Sequence, residues 1–432
     1  MNLKNLNLYF IITSVLAKAL SAFGVLIFQL LLSRSNSEEA VGQFSSILSI
    51  LFLVGIVARW GSAEVLFKDA RSFGMDHGKD NLNIYIFKIM YQCLIRGVLI
   101  TASLAGINYI ILPAIGLNSL IDNKFYYFWF IAPLFSLTSL NANSLYLQNK
   151  NIMAGLSEPG GIALISSLLV FIGLLFSLII PGTSAPFFIY AFVMSLIAAI
   201  PIILLIFSTR LKSYEINQPL IDTHLLQTTL FVYFGQWGIV VALTLMESLS
   251  IVGIFAVCLQ LSVLLDFFIR VAGSVYAHRI RYAYETMTKK DFANQIQLVS
   301  RAVAVASGFI FVILLNSAEF IYDIFSFTDE RFFFIFYVLI LARFANSLFG
   351  LTDSFLIMTK FQREYKWIII ISSSIALFGA LLSSVFPIEV VASMVAVTIV
   401  LRNTLASIVI YKRSGLIMIP FFVLLAKKNN ES

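Results

Sequence analysis

The sequence predicts an all-α polytopic membrane protein, with twelve transmembrane helices in two pseudo-symmetric six-helix lobes around a central cleft. Three observations carry this expectation. Of the 432 residues, 60% are hydrophobic and only 12% are charged, with a mean hydropathy of +0.94. Runs of about 20 apolar residues, enough to cross a bilayer as helix, recur along the whole chain. The second half also repeats features of the first at a fixed offset.

Taken in order, the spans fall at 8–32, 41–67, 86–112, 125–147, 159–180, 186–208, 228–246, 251–275, 298–318, 332–357, 367–386 and 388–411. The first carries Lys18 inside a long apolar run and lacks a small-residue cleavage pattern, so it reads as a retained span and not as a signal peptide. A polar link, Ser33 to Ala40, joins it to the second. Residues 1–208 form the expected first lobe and 209–227 the linker, whose polar run from Lys212 to Gln218 ends at Pro219. Residues 228–411 form the second lobe, and 412–432 a tail. The apolar tail stretch Leu416 to Ala426 is too short to span; flanked by Lys412, Arg413, Lys427 and Lys428, it reads as an interfacial helix.

Loop charge sets the orientation. Eighteen of the 29 Lys and Arg residues fall in the links and termini of one side, against Arg34, Lys124 and Arg331 on the other. This bias puts both termini in the cytoplasm. It also accounts for the net charge of +7 without nucleic acid as a partner. Cys93 and Cys258, both inside predicted spans, read as small apolar residues, and no metal-ligand spacing occurs.

Sliding the chain by 211 residues aligns Phe23-Gly24 with Phe234-Gly235, Val41-Gly42 with Val252-Gly253, Phe44 with Phe255 and Arg59 with Arg270. Residues 23–68 hold ten such identities. Six spans separate the copies, so both have the same orientation. Parallel repeats related by an axis along the membrane normal place a cleft between two lobes.

Charges inside the spans locate the candidate site. A lysine halfway along a span costs about 3 kcal/mol and marks a functional-site hypothesis. On the expected spans Lys18, Arg96 and Arg343 sit about 15 Å from the nearer end, at 1.5 Å per residue. Arg402, Arg59 and Arg270 lie progressively nearer the cytoplasmic side. Acids are few: Asp266 precedes Arg270 by four residues, the spacing of a mutually satisfied pair on one helix face. Glu64 and Asp353 lie near span ends, and Glu158 opens the fifth span. The interior therefore carries excess positive charge, attractive to an anion such as phosphate or pyrophosphate. Lys18, Arg59, Arg96, Arg270, Arg343 and Arg402 are the candidate substrate-binding cations, with Asp266, Glu64 and Asp353 as charge-pair or coupling candidates.

The absences also inform. Gly78-Lys79-Asp80 lacks the spacing of a phosphate-binding loop, and His77, His224 and His278 all fall in links between spans. Nothing in the sequence points to catalysis or to a cofactor. Pro133, Pro201 and Pro159-Gly160-Gly161 interrupt or open spans, and the polar runs 139–144 and 346–354 are candidates for lining a cavity or bonding helix to helix.

With these features in place, the chain resembles bacterial O-antigen and polysaccharide flippases of the Wzx type, in the MOP superfamily with MATE-fold multidrug extruders and lipid II flippases. The resemblance rests on Ala17-Lys18, on Glu38-Glu39-Ala40-Val41-Gly42-Gln43-Phe44, and on Arg59-Trp60-Gly61. The run from Glu247 through Val252-Gly253-Ile254-Phe255 to Arg270 is the second-lobe counterpart. It implies movement of an undecaprenyl-pyrophosphate-linked oligosaccharide to the outer leaflet by alternating access. It also implies a monomeric transporter among membrane lipids, with a polymerase and a chain-length regulator as pathway partners. The shift of 211 places Thr229 opposite Lys18, so that cation has no second-lobe counterpart. A cation-coupled multidrug extruder of the same fold is the alternative.

Overall fold

The computed structural model describes residues 8–148, 150–208, 223–359 and 361–416; among these there is no strand. The expected linker core and most of the tail stretch lie outside the described residues. The helices, in chain order, are α1 (Leu8–Ser35), α2 (Glu38–Arg59), α3 (Ser62–Gly106), α4 (Leu112–Ala114), α5 (Tyr127–Leu147) and α6 (Asn151–Ser157). They continue with α7 (Pro159–Leu175), α8 (Ala185–Ser208), α9 (Thr223–Phe234), α10 (Trp237–Met246), α11 (Leu249–Val263) and α12 (Phe267–Thr286). The last are α13 (Lys289–Asn316), α14 (Ala318–Ile324), α15 (Arg331–Ser347), α16 (Thr352–Met358), α17 (Gln362–Leu381) and α18 (Ile388–Ser414). Among the described residues seven helices are long and apolar enough to cross a membrane, or ten if each of three bent pairs is one span. The protein is a multi-pass membrane protein.

Local chemistry sets the helix ends. Ser37 caps α2 by accepting from the Ala40 N–H at 3.3 Å, while Glu38 and Glu39 occupy its first turn, where the helix dipole favours acids. Thr288 caps α13 in the same way and binds Asp291. The α2 helix stops where Trp60 and Gly61 both take left-handed conformations, with φ of 47° and 75°. Its repeat counterpart begins at the equivalent residue, Leu249, but breaks earlier, at a single 3-10 turn over Leu264–Asp266. The two copies thus share a start and differ in where they bend.

Compact unit 1 comprises the chain up to Tyr233 together with Val240–Gly253. Within it α1 lies along α6 and α7, α5 packs against α2, α3 and α8, and α2 touches α1 and α3. Small residues let these backbones approach, as membrane helices require. A Cβ on Gly24 would fall on the Gly160 carbonyl, and one on Gly160 would fall on the Ser21 carbonyl. The repeat-related Gly42 and Gly253 are themselves neighbours: a Cβ on Gly42 would strike the Leu249 carbonyl, and one on Gly253 would lie 3.0 Å from the Gly42 nitrogen. Beside this contact Ser250 donates to Glu38 at 2.5 Å, and the Ser46 and Thr244 hydroxyls pair at 2.5 Å. Phe28, Phe44 and Tyr190 fill the interior nearby, with ring centres 4.7 to 5.4 Å apart.

Unit 2 comprises Phe234–Ile239 and the chain from Ile254 onward. In it α15 packs against α13 and α18, α18 against α16 and α17, and α12 against α13 and α16. The α15–α16 pair bends by 53°, with Gly350 at φ 71° in the break. That break and the 3-10 turn before α12 bring polar side chains together in the interior.

Candidate functional site

The six candidate cations divide evenly, with Lys18, Arg59 and Arg96 in unit 1 and Arg270, Arg343 and Arg402 in unit 2.

Lys18 has a carboxylate partner that its position in the chain did not suggest. Its Nζ lies 2.5 Å from Glu158 Oε1, and it stands over the Tyr146 ring, 4.9 Å from the centroid. The Tyr146 hydroxyl donates to the same Glu158 oxygen at 3.0 Å. Glu158 occupies the extended residue between α6 and α7, where the pair bends by 75°. This turn, followed by Pro159 at the first helical position, swings the acid toward α1. Lys18 is the eleventh of the 28 residues of α1, Leu8–Ser35. The sequence placed Glu158 at the start of the fifth span but gave no sign that it faces α1.

Arg59 ends α2 and donates from Nε to the Gly55 carbonyl at 2.9 Å. Arg96, well inside the span Tyr85–Ala114, donates from Nη2 to Gln92 at 3.1 Å. Its Nη1 is buried and makes no hydrogen bond. Among the described residues no carboxylate pairs with Arg96.

In unit 2 the expected Asp266–Arg270 pair does not form. Asp266 ends the 3-10 turn, which interrupts the 3.6-residue geometry that the spacing argument assumed. Asp266 instead accepts from Arg343 Nη1 at 2.6 Å and from Asn346 Nδ2 at 2.8 Å. Arg343 is 1% exposed, which makes it one of the largest fully buried side chains. Asn403 donates to Asn346, and Thr352 donates to Asn403 at 3.0 Å. Next to these, Arg402 pairs with Asp353 at 3.2 Å. Arg402 falls near the middle of α18 by residue count. Arg270 is exposed and lies near enough to Arg343 for their charges to repel. Three arginines against two aspartates leave this cluster with one surplus positive charge. Arg343 Nε, Arg402 Nε and Asp353 Oδ1 remain buried without partners, and such groups call for a bound water or ion. Glu64 sits in the first turn of α3, and its side chain lies outside the described part of the structure.

The structure thus joins Arg343 and Asp266 to Thr352 through Asn346 and Asn403, pairs Arg402 with Asp353 at the residues next to Asn403 and Thr352 in the chain, and joins Lys18 to Glu158. Asn346 and Thr352 belong to the polar run 346–354, expected to line a cavity or bond helix to helix, whereas Asn403 and the acid at the α6–α7 break were missed as site residues. The signal for the acid was the Glu158-Pro159-Gly160-Gly161 string. A cavity of about 660 Å³ between α3 and α5, lined by Val98, Thr101, Ala102, Tyr109, Trp129 and Phe130 among others, has no carboxylate, lysine or arginine in its wall and does not suit an anion. Among the described residues no group of acids, histidines and cysteines could hold a metal ion.

No protein-family model and no curated protein matches this sequence. Solved structures do. The chain is similar to the MATE multidrug transporter DinF-BH, at 15% identity, covering 94% of each chain with a TM-score of 0.58. It is also similar to an inward-facing multidrug resistance MATE family transporter of the MOP superfamily, at 12% identity, covering 92% of this chain and 96% of that one, with a TM-score of 0.52. The chain has the MATE transporter fold. At these identities the likeness shows fold and leaves the cargo open.

Proposed function

We propose that this protein is an alternating-access flippase in the bacterial inner membrane. Its cargo is a lipid-linked oligosaccharide carried on undecaprenyl pyrophosphate, for O-antigen or another surface polysaccharide. In this reading twelve spans form two six-helix lobes, 1–208 and 228–411. They are joined by the linker 209–227 and followed by a tail with an interfacial helix; both termini are cytoplasmic. The observation that carries it is the charge of the interior. Lys18, Arg343 and Arg402 have carboxylate partners in Glu158, Asp266 and Asp353. Arg96 keeps a buried Nη1 without a partner, and Arg270 adds a surplus charge beside Arg343. An interior with surplus positive charge favours an anion and disfavours a cationic drug. Arginine binds a pyrophosphate bidentately, and lysine acts as a point charge.

A second reading, a cation-coupled multidrug extruder, draws support from the description of the similar structures and from Glu158, an acid facing Lys18 in unit 1. One experiment separates the two. Deleting the gene should make undecaprenyl-linked oligosaccharide accumulate on the cytoplasmic face and remove surface glycan. Wild-type protein should restore the glycan; Arg96→Gln, present at the same level in the membrane, should not. Normal glycan in the deletion strain, together with new sensitivity to cationic dyes, would transfer the assignment to the extruder.

A further inference from the structure

We propose that Glu158 is a built-in competitor for Lys18, so that an anionic ligand binds this site by displacing the carboxylate. The proposal rests on the anionic-cargo reading above and adds a specific exchange within unit 1.

The geometry points to a replaceable contact. Lys18 Nζ meets one oxygen of Glu158 at 2.5 Å, and the lysine side chain remains 39% exposed against 19% for the acid. An ammonium has three donors, and the contact with Glu158 uses one of them. The Tyr146 ring, 4.9 Å from Nζ, supplies a fixed negative face that holds the ammonium whichever anion it serves. Lys18 and Tyr146 both donate to Oε1 of Glu158. The acid is therefore held by two donors at one oxygen and sits at a break in the helix, not within a rigid turn.

The surroundings explain how the exchange reaches the helices. Around the pair, α1 meets α6 and α7 through small residues: Gly155 against Ala17, and Gly160 against Ser21. Beside them one neutral hydrogen bond crosses, from Asn151 of α6 to Thr13 of α1 at 3.1 Å. The Lys18–Glu158 ion pair is thus the charged tie between α1 and the 75° elbow at Glu158. An anion that takes Lys18 removes the charged tie at the elbow and leaves the small-residue contacts and the Asn151–Thr13 bond in place. Ligand occupancy and elbow position are then linked reciprocally, as coupled equilibria require.

The test is binding of inorganic pyrophosphate to the purified full-length chain in detergent, measured by equilibrium dialysis. Removing the competitor should tighten binding: Glu158→Gln is expected to bind about fivefold more tightly than wild type, the range for losing a partly exposed charged hydrogen bond. Tyr146→Phe, which frees one hold on the acid, should tighten binding by a smaller factor. Lys18→Gln should weaken it by at least about fivefold. A purely structural ion pair predicts the reverse sign for Glu158→Gln, because loosening the fold weakens any site built on it. Unchanged or weaker binding by Glu158→Gln, with wild type binding normally, overturns the exchange and leaves the anionic-cargo reading intact. No binding by either protein overturns both.

Discussion

Replacing Arg343 by methionine tests the unit 2 interior most directly. The guanidinium is 2% exposed and its partner Asp266 8% exposed, with 2.6 Å between Nη1 and Oδ2. Removing one partner of such a buried pair costs about 3–5 kcal/mol, because the remaining charge stays desolvated. Asp266 keeps its bond from Asn346 at 2.8 Å, which places the expected loss at the low end, about 3 kcal/mol. Asp266→Leu should cost a similar amount by stranding the arginine. The double variant removes both charges and strands only the Asn346 amide, a loss of about 1–2 kcal/mol. A coupling energy of at least about 2 kcal/mol therefore separates the pair from two independent substitutions. Reversible unfolding of the full chain in mixed micelles, followed by helical circular dichroism across a denaturing-detergent titration, would measure all three. A single variant costing less than about 1 kcal/mol, or a double variant worse than either single one, would refute the argument that this ion pair is buried and mutually satisfied.

Two further outcomes follow from contacts elsewhere. Gly42→Ala places a methyl group on the Leu249 carbonyl and should destabilise by about 1–3 kcal/mol, whereas Gly106→Ala, with nothing within 4 Å of the new Cβ, should be neutral or stabilising; melting of both variants checks the contrast. Outside the spans, Arg331 holds the Asp329 carboxyl below its ordinary value of 3.8. A lowered folded-state value means that the pair stabilises above the ordinary value and that this contribution is lost as pH falls through the lowered one. For so exposed a pair, Asp329→Asn should cost about 0.5 kcal/mol near neutral pH and nothing at about pH 2, which a comparison of unfolding at the two pH values reads directly.

Much of the architecture was legible because a bilayer leaves few options. Apolar runs of spanning length must be helices, and helix fills most of each expected span, although 41–67, 228–246 and 332–357 each contain a break. The 211-residue repeat also found the shared start of α2 and α11. What escaped were the departures from ideal helix. Asp266 and Arg270 are correctly spaced for one face, yet a single 3-10 turn rotates the acid onto another helix. Lys18 lacks an acid near it in sequence, yet the elbow at Glu158 delivers one from 140 residues away. Both misses arise at breaks, where periodicity no longer predicts direction. The amide links through Asn346 and Asn403 are likewise invisible to composition, because a buried amide and a solvent-facing one read alike until their partners are placed.

The contact between Gly42 and Gly253 has a consequence for how such a chain can change. Each glycine meets the residue that the 211-residue shift assigns as its own counterpart. A half-length ancestor that paired with a second copy of itself would present the same residue to both sides, as any isologous surface does. One substitution there would have struck the contact twice. After duplication the two positions can vary separately, but each still faces the other's backbone, so neither has gained the room for a side chain.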